Sequence, residues 1–253
     1  MATVTQAASA RLAALLANAK RAVAFTGAGI STESGIPDFR SPGGIWSRMQ
    51  PIDFRDFLSS ADMRREAWRR KAVIDRDFHQ ALPNRGHRAL ATLIARGVMS
   101  AIITQNIDGL HQASGVPAEK VIELHGNGTY ASCLDCGRRY ALAPIMAAFA
   151  RDETLPVCTV CGGIIKSATI SFGQAMPQAA MARAQAETIA CDLFIVLGSS
   201  LVVYPAAGFP ALAKRRGAGL VIINREETDQ DASADLVVHD EIGATLGQAV
   251  GVA

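Results

Sequence analysis

The sequence has almost no excess of charge of either sign, and this absence excludes two classes of partner. Its formal net charge is +2 at pH 7, which is too small to indicate a protein that binds nucleic acid or a membrane surface. It contains no run of about 18 uncharged apolar residues, so we expect no membrane-spanning helix. The opening residues lack a basic stretch followed by an apolar core and a cleavage site, so we predict no signal peptide and a cytoplasmic location.

Internal repeats and low-complexity tracts are also absent, and the remaining pattern is typical of a globular α/β chain. Hydrophobic residues make up 49% of the 253 residues and charged residues 19%, as in chains with a buried core. Short apolar runs predict six buried parallel strands, at residues 21–25, 100–104, 121–124, 192–197, 219–224 and 234–239. Helix-like segments alternate with these runs, which predicts an open, doubly wound, Rossmann-like sheet. One such helix is expected to begin at Asn84, a suitable N-cap residue.

Two regions interrupt this alternation, and we predict that together they form a smaller inserted domain. Residues 40–81 begin as a Gly/Pro loop and continue as a charged helical stretch, which we interpret as a helical module. Residues 129–171 carry four of the five cysteines and are interpreted as a zinc module. The larger Rossmann-like domain would then comprise residues 1–39, 82–128 and 172–253.

Four cysteines form two C-x-x-C pairs separated by 21 residues, Cys133 with Cys136 and Cys158 with Cys161. In a chain predicted to be cytoplasmic, this spacing favours a structural zinc ion held by four thiolates, with two disulfides or a redox pair as alternatives. Gly137 and Gly162 directly follow the two pairs, where tight metal-binding turns need glycine. A site with four cysteines has no open position, so we expect the metal to stabilise structure. Cys191 stands alone and is interpreted as a small buried apolar residue.

A glycine-rich segment, TGAGISTESGIPDFR at residues 26–40, follows the first predicted strand. Gly27 and Gly29 would let the backbone approach a pyrophosphate, and a helix is expected to follow and favour its charge. The match to the G-x-G-x-x-G fingerprint is imperfect because Thr32 occupies the place of the third glycine. The alternative is an ordinary turn from strand to helix.

Polar residues follow two further strands at the edge where ligands bind in open α/β sheets. Gln105, Asn106 and Asp108 come directly after the strand at 100–104, and His125 comes directly after the strand at 121–124. Amides and a carboxylate there can hold ribose hydroxyls or a carboxamide, and a neutral imidazole suits a general base. Capping of loops by Asn and Asp, and a structural histidine, are the alternatives.

The segments 196–210 and 222–226 also begin at strand ends. In the first segment, Gly198, Ser199 and Ser200 can approach a phosphate or a ribose. In the second segment, Asn224 and Arg225 can contact the ribose on the adenine side of a dinucleotide. The run LVVY at 201–204 offers an extended edge that could pair with a peptide. Core packing is the alternative interpretation of that run.

Taken together, these residues resemble the sirtuin family of NAD-dependent protein deacylases. GAGIS, GIPDFR, TQNIDGLH, ELHGN, the two C-x-x-C pairs, SFG, GSSLVVYPAA and INRE occur in the family's order, over residues 20–245. The resemblance implies that the four cysteines hold structural zinc and that His125 is the catalytic base, assisted by Asn106 and Asp108. Residues implied to contact NAD are Gly27, Ala28, Gly29, Ile36, Asp38, Phe39, Arg40, Gln105, Asn106, Ile107, Asp108, Gly198, Ser199, Ser200, Asn224 and Arg225. Residues implied to bind the acyl-lysine peptide are Phe172, Gly173, Val202, Val203 and Tyr204.

The resemblance implies transfer of an acyl group, most simply acetyl, from a protein lysine to the ribose of NAD, with release of nicotinamide and O-acyl-ADP-ribose. A mono-ADP-ribosyltransferase on the same scaffold is the main alternative, and a zinc-bearing NAD or nucleic-acid sensor without turnover is a third. The near-neutral charge argues against nucleic acid. The protein targets and the oligomeric state are left open.

The chain departs from the family pattern near the expected peptide groove. Gln174 stands where the family commonly has Glu, and Lys166-Ser167 replaces the usual Arg-Pro. Desuccinylating sirtuins carry a Tyr-x-x-Arg pair, whereas this chain has Trp68 and Lys71 at the matching places, so we expect neutral acyl groups to be preferred. Trp68 could line a longer apolar acyl pocket or pack into the small domain's core, and Arg69 or Arg70 could still face an acidic acyl group.

Overall fold

The computed structural model describes residues 4–253, except for the side chains of Val4, Asp77 and His79. The first three residues of the predicted larger domain therefore lie outside the described part. In chain order the strands are β1 (Ala22–Thr26), β2 (Met99–Thr104), β3 (Val121–Glu123), β4 (Gly126–Cys133), β5 (Arg139–Ala141), β6 (Ile165–Thr169), β7 (Leu193–Leu197), β8 (Gly219–Ile223) and β9 (Leu236–Val238). The helices are α1 (Val4–Asn18), α2 (Ile45–Arg48), α3 (Phe54–Ser59), α4 (Ala61–Gln80), α5 (Arg85–Ala95), α6 (Leu110–Ala113), α7 (Leu142–Asp152), α8 (Gln178–Ala190), α9 (Gly208–Arg215) and α10 (Ile242–Val250).

The predicted parallel sheet is confirmed, with the strand order β3-β2-β1-β7-β8-β9. Every neighbouring pair in it is parallel, and each of its six strands overlaps one of the six apolar runs. The order reverses at β1, where the chain crosses from β3 on one side to β7 on the other. In such sheets the crevice at this reversal, beyond the carboxyl ends of the strands, is where ligands bind.

The two faces of the large sheet are covered by separate apolar clusters. In β1, Ala22 and Ala24 point into one cluster with α1, α5 and α10, while Val23 and Phe25 point into the other with α8 and α9. This alternation follows from the two-residue period of a strand. Because both faces are buried, the central strands are apolar throughout, which is why the sequence shows them as continuous runs.

Helix α5 begins as the sequence predicts. The Asn84 side chain accepts hydrogen bonds from the backbone N–H groups of Gly86, at 2.9 Å, and His87, at 3.3 Å. Its amide nitrogen also donates to Ile30 O at 2.7 Å. The cap therefore fixes both the start of α5 and the loop that follows β1.

The prediction of a helix directly after Gly27 and Gly29 is wrong. Two short 3₁₀ turns, Ala28–Ile30 and Thr32–Ser34, occupy this place, and the next α-helix is the four-residue α2. Gly35 ends the second turn in the left-handed region (φ +84°), and Pro37 follows it. Left-handed glycine and proline both interrupt helical continuation. The segment therefore offers no long helix dipole for a pyrophosphate.

A second sheet has the order β5-β4-β6 and is antiparallel. Its small apolar cluster contains Trp68 from α4, Phe149 from α7 and Ile165 from β6. The strands and α7 lie within residues 126–169, and α2, α3 and α4 lie within 45–80. No helix in the described 4–253 range combines the length and the apolarity that crossing a membrane requires.

Candidate functional site

A cavity of about 650 Å³ lies at the carboxyl ends of the large sheet's strands, at the point where the strand order reverses. Most of the predicted site residues line it. These are Gly27, Ala28, Gly29, Asp38, Phe39, Arg40, Gln105, Asn106, Ile107, His125, Phe172, Gly173, Gly198, Ser199, Ser200, Val203, Tyr204, Asn224 and Arg225. Ile36 and Asp108 instead line an adjoining cavity of about 10 Å³, which shares Asn106 and Ile107 with the larger one. Val202 lines neither cavity and is 53% exposed.

The glycines after β1 are required by the protein's own backbone. A Cβ atom on Gly27 would lie 2.5 Å from Gly198 O, and one on Gly29 would lie 2.6 Å from Gly198 Cα. Gly27 N–H donates to Leu197 O at 3.0 Å and Gly29 N–H to Gly198 O at 2.9 Å, so neither donor is free for a phosphate. Gly198 itself has φ +65°. The G-x-G pattern therefore locks the ends of β1 and β7 together.

The polar residues after β2 form a connected network. The Asn106 side chain donates to Gly27 O at 3.0 Å and to Ser31 Oγ at 3.1 Å, and Ser31 Oγ donates to Asp108 Oδ2 at 2.7 Å. Asp108 Oδ1 accepts from Leu110 N–H at 2.9 Å. Burial raises the pKa of Asp108 above its ordinary value, and these hydrogen bonds offset only part of that effect. Gln105 reaches the neighbouring strand end, where its Nε2 donates to Ser199 Oγ at 2.8 Å.

His125 directly follows β3 and lines the large cavity beside Gln105. Its Nδ1 lies 3.1 Å from Gln105 O. Because a carbonyl oxygen only accepts hydrogen bonds, Nδ1 carries the proton in the neutral ring, and Nε2 keeps its lone pair. Burial lowers the pKa of His125 below its ordinary value, the Gln105 carbonyl opposes this, and the Arg40 charge lowers it further. The imidazole is therefore neutral and able to accept a proton at pH 7.

An aromatic group that sequence reasoning did not single out borders the cavity. Trp46 lies between Phe39 and Phe172, with ring centroids 5.5 Å and 5.3 Å away, and the Arg40 guanidinium lies 4.2 Å from the centre of its ring. Trp46 thus joins the loop after β1 to the segment after β6. Its position directly after the SPGG loop, close behind GIPDFR, was the available signal.

Asp38 lines the cavity, but its carboxylate serves its own loop. It accepts from the backbone N–H groups of Arg40 at 2.9 Å and Ser41 at 2.8 Å, and from Ser41 Oγ at 2.6 Å. Burial alone would raise the pKa of Asp38, but the hydrogen bonds from Ser41 and Arg40 outweigh it and hold the pKa below the ordinary value. The carboxylate therefore acts first as the cap that shapes this loop.

The two segments predicted to bind a peptide both contribute residues to the cavity lining. Phe172 is 47% exposed and Tyr204 is 73% exposed. Residues 201–204 form no strand: Leu201 is buried with φ +57°, while Val202 and Tyr204 face outward. Core packing, the alternative interpretation of LVVY, therefore holds for Leu201, while pairing with a peptide stays a prediction. Gln174 caps the turn before α8, with its Oε1 accepting from Ser171 N–H at 3.1 Å.

Arg69, Arg70 and Lys71 of α4 all form ion pairs. Arg70 Nε lies 2.7 Å from Glu66, Lys71 pairs with Asp75, and Arg69 points away from the cavity to Glu153. Arg70 and Lys71 do line the cavity. These contacts leave little uncompensated positive charge to attract an acidic acyl group.

Trp68 and Lys166 form part of the wall between α4 and the small sheet. Trp68 is 2% exposed and packs in the small cluster, as one of the two sequence interpretations predicts. Lys166 is 5% exposed, its ammonium donates to Thr169 O, and burial lowers its pKa to about 8. The replacement of the family's Arg-Pro thus places a buried lysine at the cavity wall.

The four paired cysteines meet at one point. Their sulfur atoms all lie within 4.8 Å of one another, with Cys133 Sγ to Cys161 Sγ at 3.5 Å and Cys136 Sγ to Cys158 Sγ at 3.6 Å. Zinc–sulfur bonds of about 2.3 Å place tetrahedral sulfurs about 3.8 Å apart, so the set fits zinc. None of the five cysteines forms a disulfide.

The turns and a neighbouring hydroxyl also suit bound thiolates. Gly137 and Gly162 have φ +72° and +74°, a conformation that favours glycine in the turn after each cysteine pair. The Tyr140 hydroxyl donates to Cys158 Sγ at 3.0 Å and lowers the pKa of Cys158 to about 6. Cys191 is buried, 7% exposed, in the core beside β7, as predicted.

Comparisons with known proteins agree with this geometry. The sequence pattern of the Sir2 family matches residues 27–205. NAD-dependent protein deacetylase 1 of Bradyrhizobium diazoefficiens is 60% identical over 241 residues, covering 95% of this chain and 94% of the relative. The NAD-dependent protein deacetylase of Rhodopseudomonas palustris is 58% identical over 241 residues, covering 95% of both chains.

Two solved structures have the same fold. A Sir2 structure with deacetylated p53 peptide and 3′-O-acetyl ADP ribose superposes with a TM-score of 0.87 at 37% identity, covering 95% of this chain and 96% of that one. A Sir2 structure with p53 peptide and NAD⁺ gives 0.84 at 38% identity, covering 93% and 94%. The family pattern spans most of the strand-end cavity, and the relatives align along nearly the whole chain. The chain belongs to the Sir2 family, the sirtuins.

Proposed function

We propose that this protein is an NAD-dependent protein lysine deacylase, most simply a deacetylase, that transfers the acyl group to ADP-ribose and releases nicotinamide. The names of the relatives and the ligands of the solved Sir2 structures support this. The observation that carries it is the hydrogen bond between His125 Nδ1 and Gln105 O, which leaves Nε2 as a proton acceptor beside the cavity.

The residues that line the cavity suit NAD in their chemistry. Arg40 and Arg225 supply positive charge at the cavity, and the backbone of Gly27 and Gly198 lines it without a side chain. The Ser199 and Asn224 side chains offer hydrogen bonds suited to phosphate and ribose groups. Bound NAD would supply an electrophilic ribose carbon with nicotinamide as the leaving group.

His125 is the general base in this proposal, since its neutral form dominates at pH 7. It would accept a proton from a ribose hydroxyl, a role typically worth roughly 10²–10⁴-fold in rate. Asn106 and Asp108 would hold the carboxamide and the ribose, beside a small cavity with room for about one water molecule. Phe39 and Trp46 would exclude water from the reacting carbon.

The acyl-lysine peptide would lie between Phe172–Gly173 and Val202–Tyr204. The exposure of Phe172, Val202 and Tyr204 supports this, because apolar groups at a groove edge favour contact with a partner chain. The ion pairs of Arg70 and Lys71 support a neutral acyl group. The four cysteines would hold structural zinc.

We also propose the predicted division of the chain, with 40–81 and 129–171 forming a smaller domain. The separate antiparallel sheet and its own apolar cluster support it. A cytoplasmic location is proposed as well, and the five unpaired cysteines support it, since secreted proteins usually form disulfides.

Incubation with NAD and an acetyl-lysine peptide tests the function. We expect free lysine peptide, nicotinamide and O-acetyl-ADP-ribose in equal amounts, by mass spectrometry. Incorporation of labelled ADP-ribose into protein without peptide deacetylation would instead identify a mono-ADP-ribosyltransferase. Binding of NAD without formation of any product would favour the interpretation as an NAD sensor and would contradict the proposal.

A further inference from the structure

Two buried histidines lie beneath the candidate site and have no place in the proposed chemistry. His87, on α5, is 0% exposed and His111, on α6, is 2% exposed, and their ring centroids are 5.1 Å apart. Both His87 nitrogens and His111 Nδ1 lack a hydrogen-bond partner among the described residues. Only His111 Nε2 is engaged, and its partner is Thr26 Oγ1 at 2.9 Å.

That contact begins a chain of hydrogen bonds that reaches the site. Thr26 Oγ1 donates to Thr104 Oγ1 at 2.8 Å, across the last paired residues of β1 and β2. Thr104 Oγ1 also accepts from the backbone N–H of Asn106 at 3.0 Å. The Asn106 side-chain amide donates a hydrogen bond to Ser31 Oγ, and Ser31 Oγ donates one to the Asp108 carboxylate. Each link is within normal hydrogen-bonding distance.

We propose that His111 is a positioning residue for the proposed reaction, which fixes the backbone of Asn106 through Thr26 and Thr104 and thereby aims the Asn106 amide and the Asp108 carboxylate at the ligand. This inference rests on the proposed function. His111 touches neither cavity, so it acts only through the residues it holds.

This series of hydrogen bonds is buried, so the loss of any one of them is not compensated by water. Thr26 is 0% exposed and Thr104 is 2% exposed, so water does not replace a lost partner. Burial, and secondarily the neighbouring His87, lowers the pKa of His111 to about 3. The ring is therefore neutral at pH 7 and acts through its hydrogen bond. Small displacements of a group that positions a substrate lower rates by up to roughly 10²-fold.

Thr26→Val removes the central hydroxyl and keeps the side-chain shape. Thr188→Val is the matched control, because Thr188 is also 0% exposed and loses one hydrogen bond, to Ala184 O, but lies on α8. We expect Thr26→Val to lower kcat/KM for deacylation by roughly 10- to 100-fold. Thr188→Val should stay within about twofold of wild type, as expected away from the site.

Variants that restore the lost hydrogen bond distinguish a positioning role from a general loss of stability. Thr26→Ser keeps the hydroxyl and should recover most of the activity. Gln places its amide near the position of His Nε2, so His111→Gln should be much more active than His111→Phe at comparable Tm. If Ser and Val at position 26 are equally impaired, or if His111→Phe matches His111→Gln, the inference is wrong.

Double variants test whether His111 acts through Asn106, because losses of activity along one path do not add. If His111 acts through this residue, adding Thr26→Val to Asn106→Ala should cause little further loss of activity, since a shared path is already broken. Independent losses that multiply would contradict the route. Where Thr26→Val does not fold, Thr104→Val breaks the same path at the next residue.

NAD affinity, measured by calorimetry, gives a readout that needs no turnover. We expect Thr26→Val to bind NAD roughly tenfold more weakly than Thr188→Val does. Equal affinity together with equal activity would overturn the role of His111. Absence of deacylation in wild type, with the affinity difference intact, would overturn only the proposed function.

Discussion

The two sheets of this protein are held together in different ways. The six-stranded parallel sheet is covered on both faces by large apolar clusters. The three-stranded sheet has a cluster of only six buried residues among those described, and two of them are the cysteines Cys133 and Cys158. Apolar burial is proportional to area, so a core this small contributes little stability by itself.

This difference shows where each sheet's stability comes from and where the chemistry is placed. The large sheet is stabilised by the apolar clusters on both its faces, so its strand ends can carry polar, functional groups. The small sheet has few buried apolar residues, and its four clustered thiols suit the metal that small domains often use for stability. Changes at the cysteines should therefore affect structure, and changes at the strand ends should affect chemistry.

Removal of the metal ligands should have the largest effect. Zinc binding is typically worth roughly 10–16 kcal/mol in small zinc domains, so Cys161→Ser or a strong chelator should unfold residues 126–169. Hydrogen exchange should show lost protection in β4, β5 and β6, with β1 and β7 still protected. Cys191→Ser is the control and should retain the metal. Purified protein without zinc, yet with a protected small sheet, would contradict the assignment.

His125→Ala should separate chemistry from folding in the large region. We expect kcat to fall by roughly 10²–10⁴-fold, because the general base is lost, while the Tm changes little. The pKa of His125 is lowered by burial, so the acid limb of wild-type kcat/KM should have its midpoint below 6.5. An active alanine variant, or a midpoint above 6.5, would exclude His125 as the base.

The buried histidine pair should make the large region acid-sensitive. Burial lowers the pKa of His87 to about 4, so between pH 6.5 and 4 the unfolded chain takes up a proton that the folded chain excludes. Stability should therefore be complete above pH 6.5 and fall by up to about 1.4 kcal/mol per pH unit for this residue as the pH decreases.

His87→Leu provides the measurement of that slope. Neither His87 nitrogen has a partner among the described residues, so an apolar replacement loses no hydrogen bond. The free energy of unfolding, from urea titrations at pH 7, 6, 5 and 4.5, should fall less steeply in this variant than in wild type. Parallel slopes would show that His87 has the same pKa in the folded and unfolded chains, and would contradict the effect of burial.

The smallest expected effect is on the preference for one acyl group over another, because the residues near the acyl group come from both regions that line the cavity. Arg70 and Lys71 are neutralised by Glu66 and Asp75, so acetyl, propionyl or butyryl peptides should exceed succinyl and glutaryl peptides in kcat/KM. Lys71→Met should change this order only slightly. A preference for succinyl would show that one of these ion pairs opens when substrate binds.

The sequence predicted the large sheet well because its strands are buried on both faces and therefore form continuous apolar runs. The zinc module was predictable because ligand spacing is local. The turn after β1 was not, since Gly35 and Pro37 act there against a helix that the glycine pattern favoured. Trp46 and the Thr26–His111 contact were missed because they depend on side chains brought together from distant segments.

The close contact between Gly27, Gly29 and Gly198 has a consequence for ligand capture. Two backbone segments, residues 27–29 and 197–198, meet there through hydrogen bonds of 3.0 and 2.9 Å, so the mouth of the crevice has its final shape before any nucleotide arrives. A preorganised mouth loses little conformational entropy on association, which favours affinity without new contacts. Even an alanine at one of these glycines would wedge β1 and β7 apart, and binding would then require the protein to deform first.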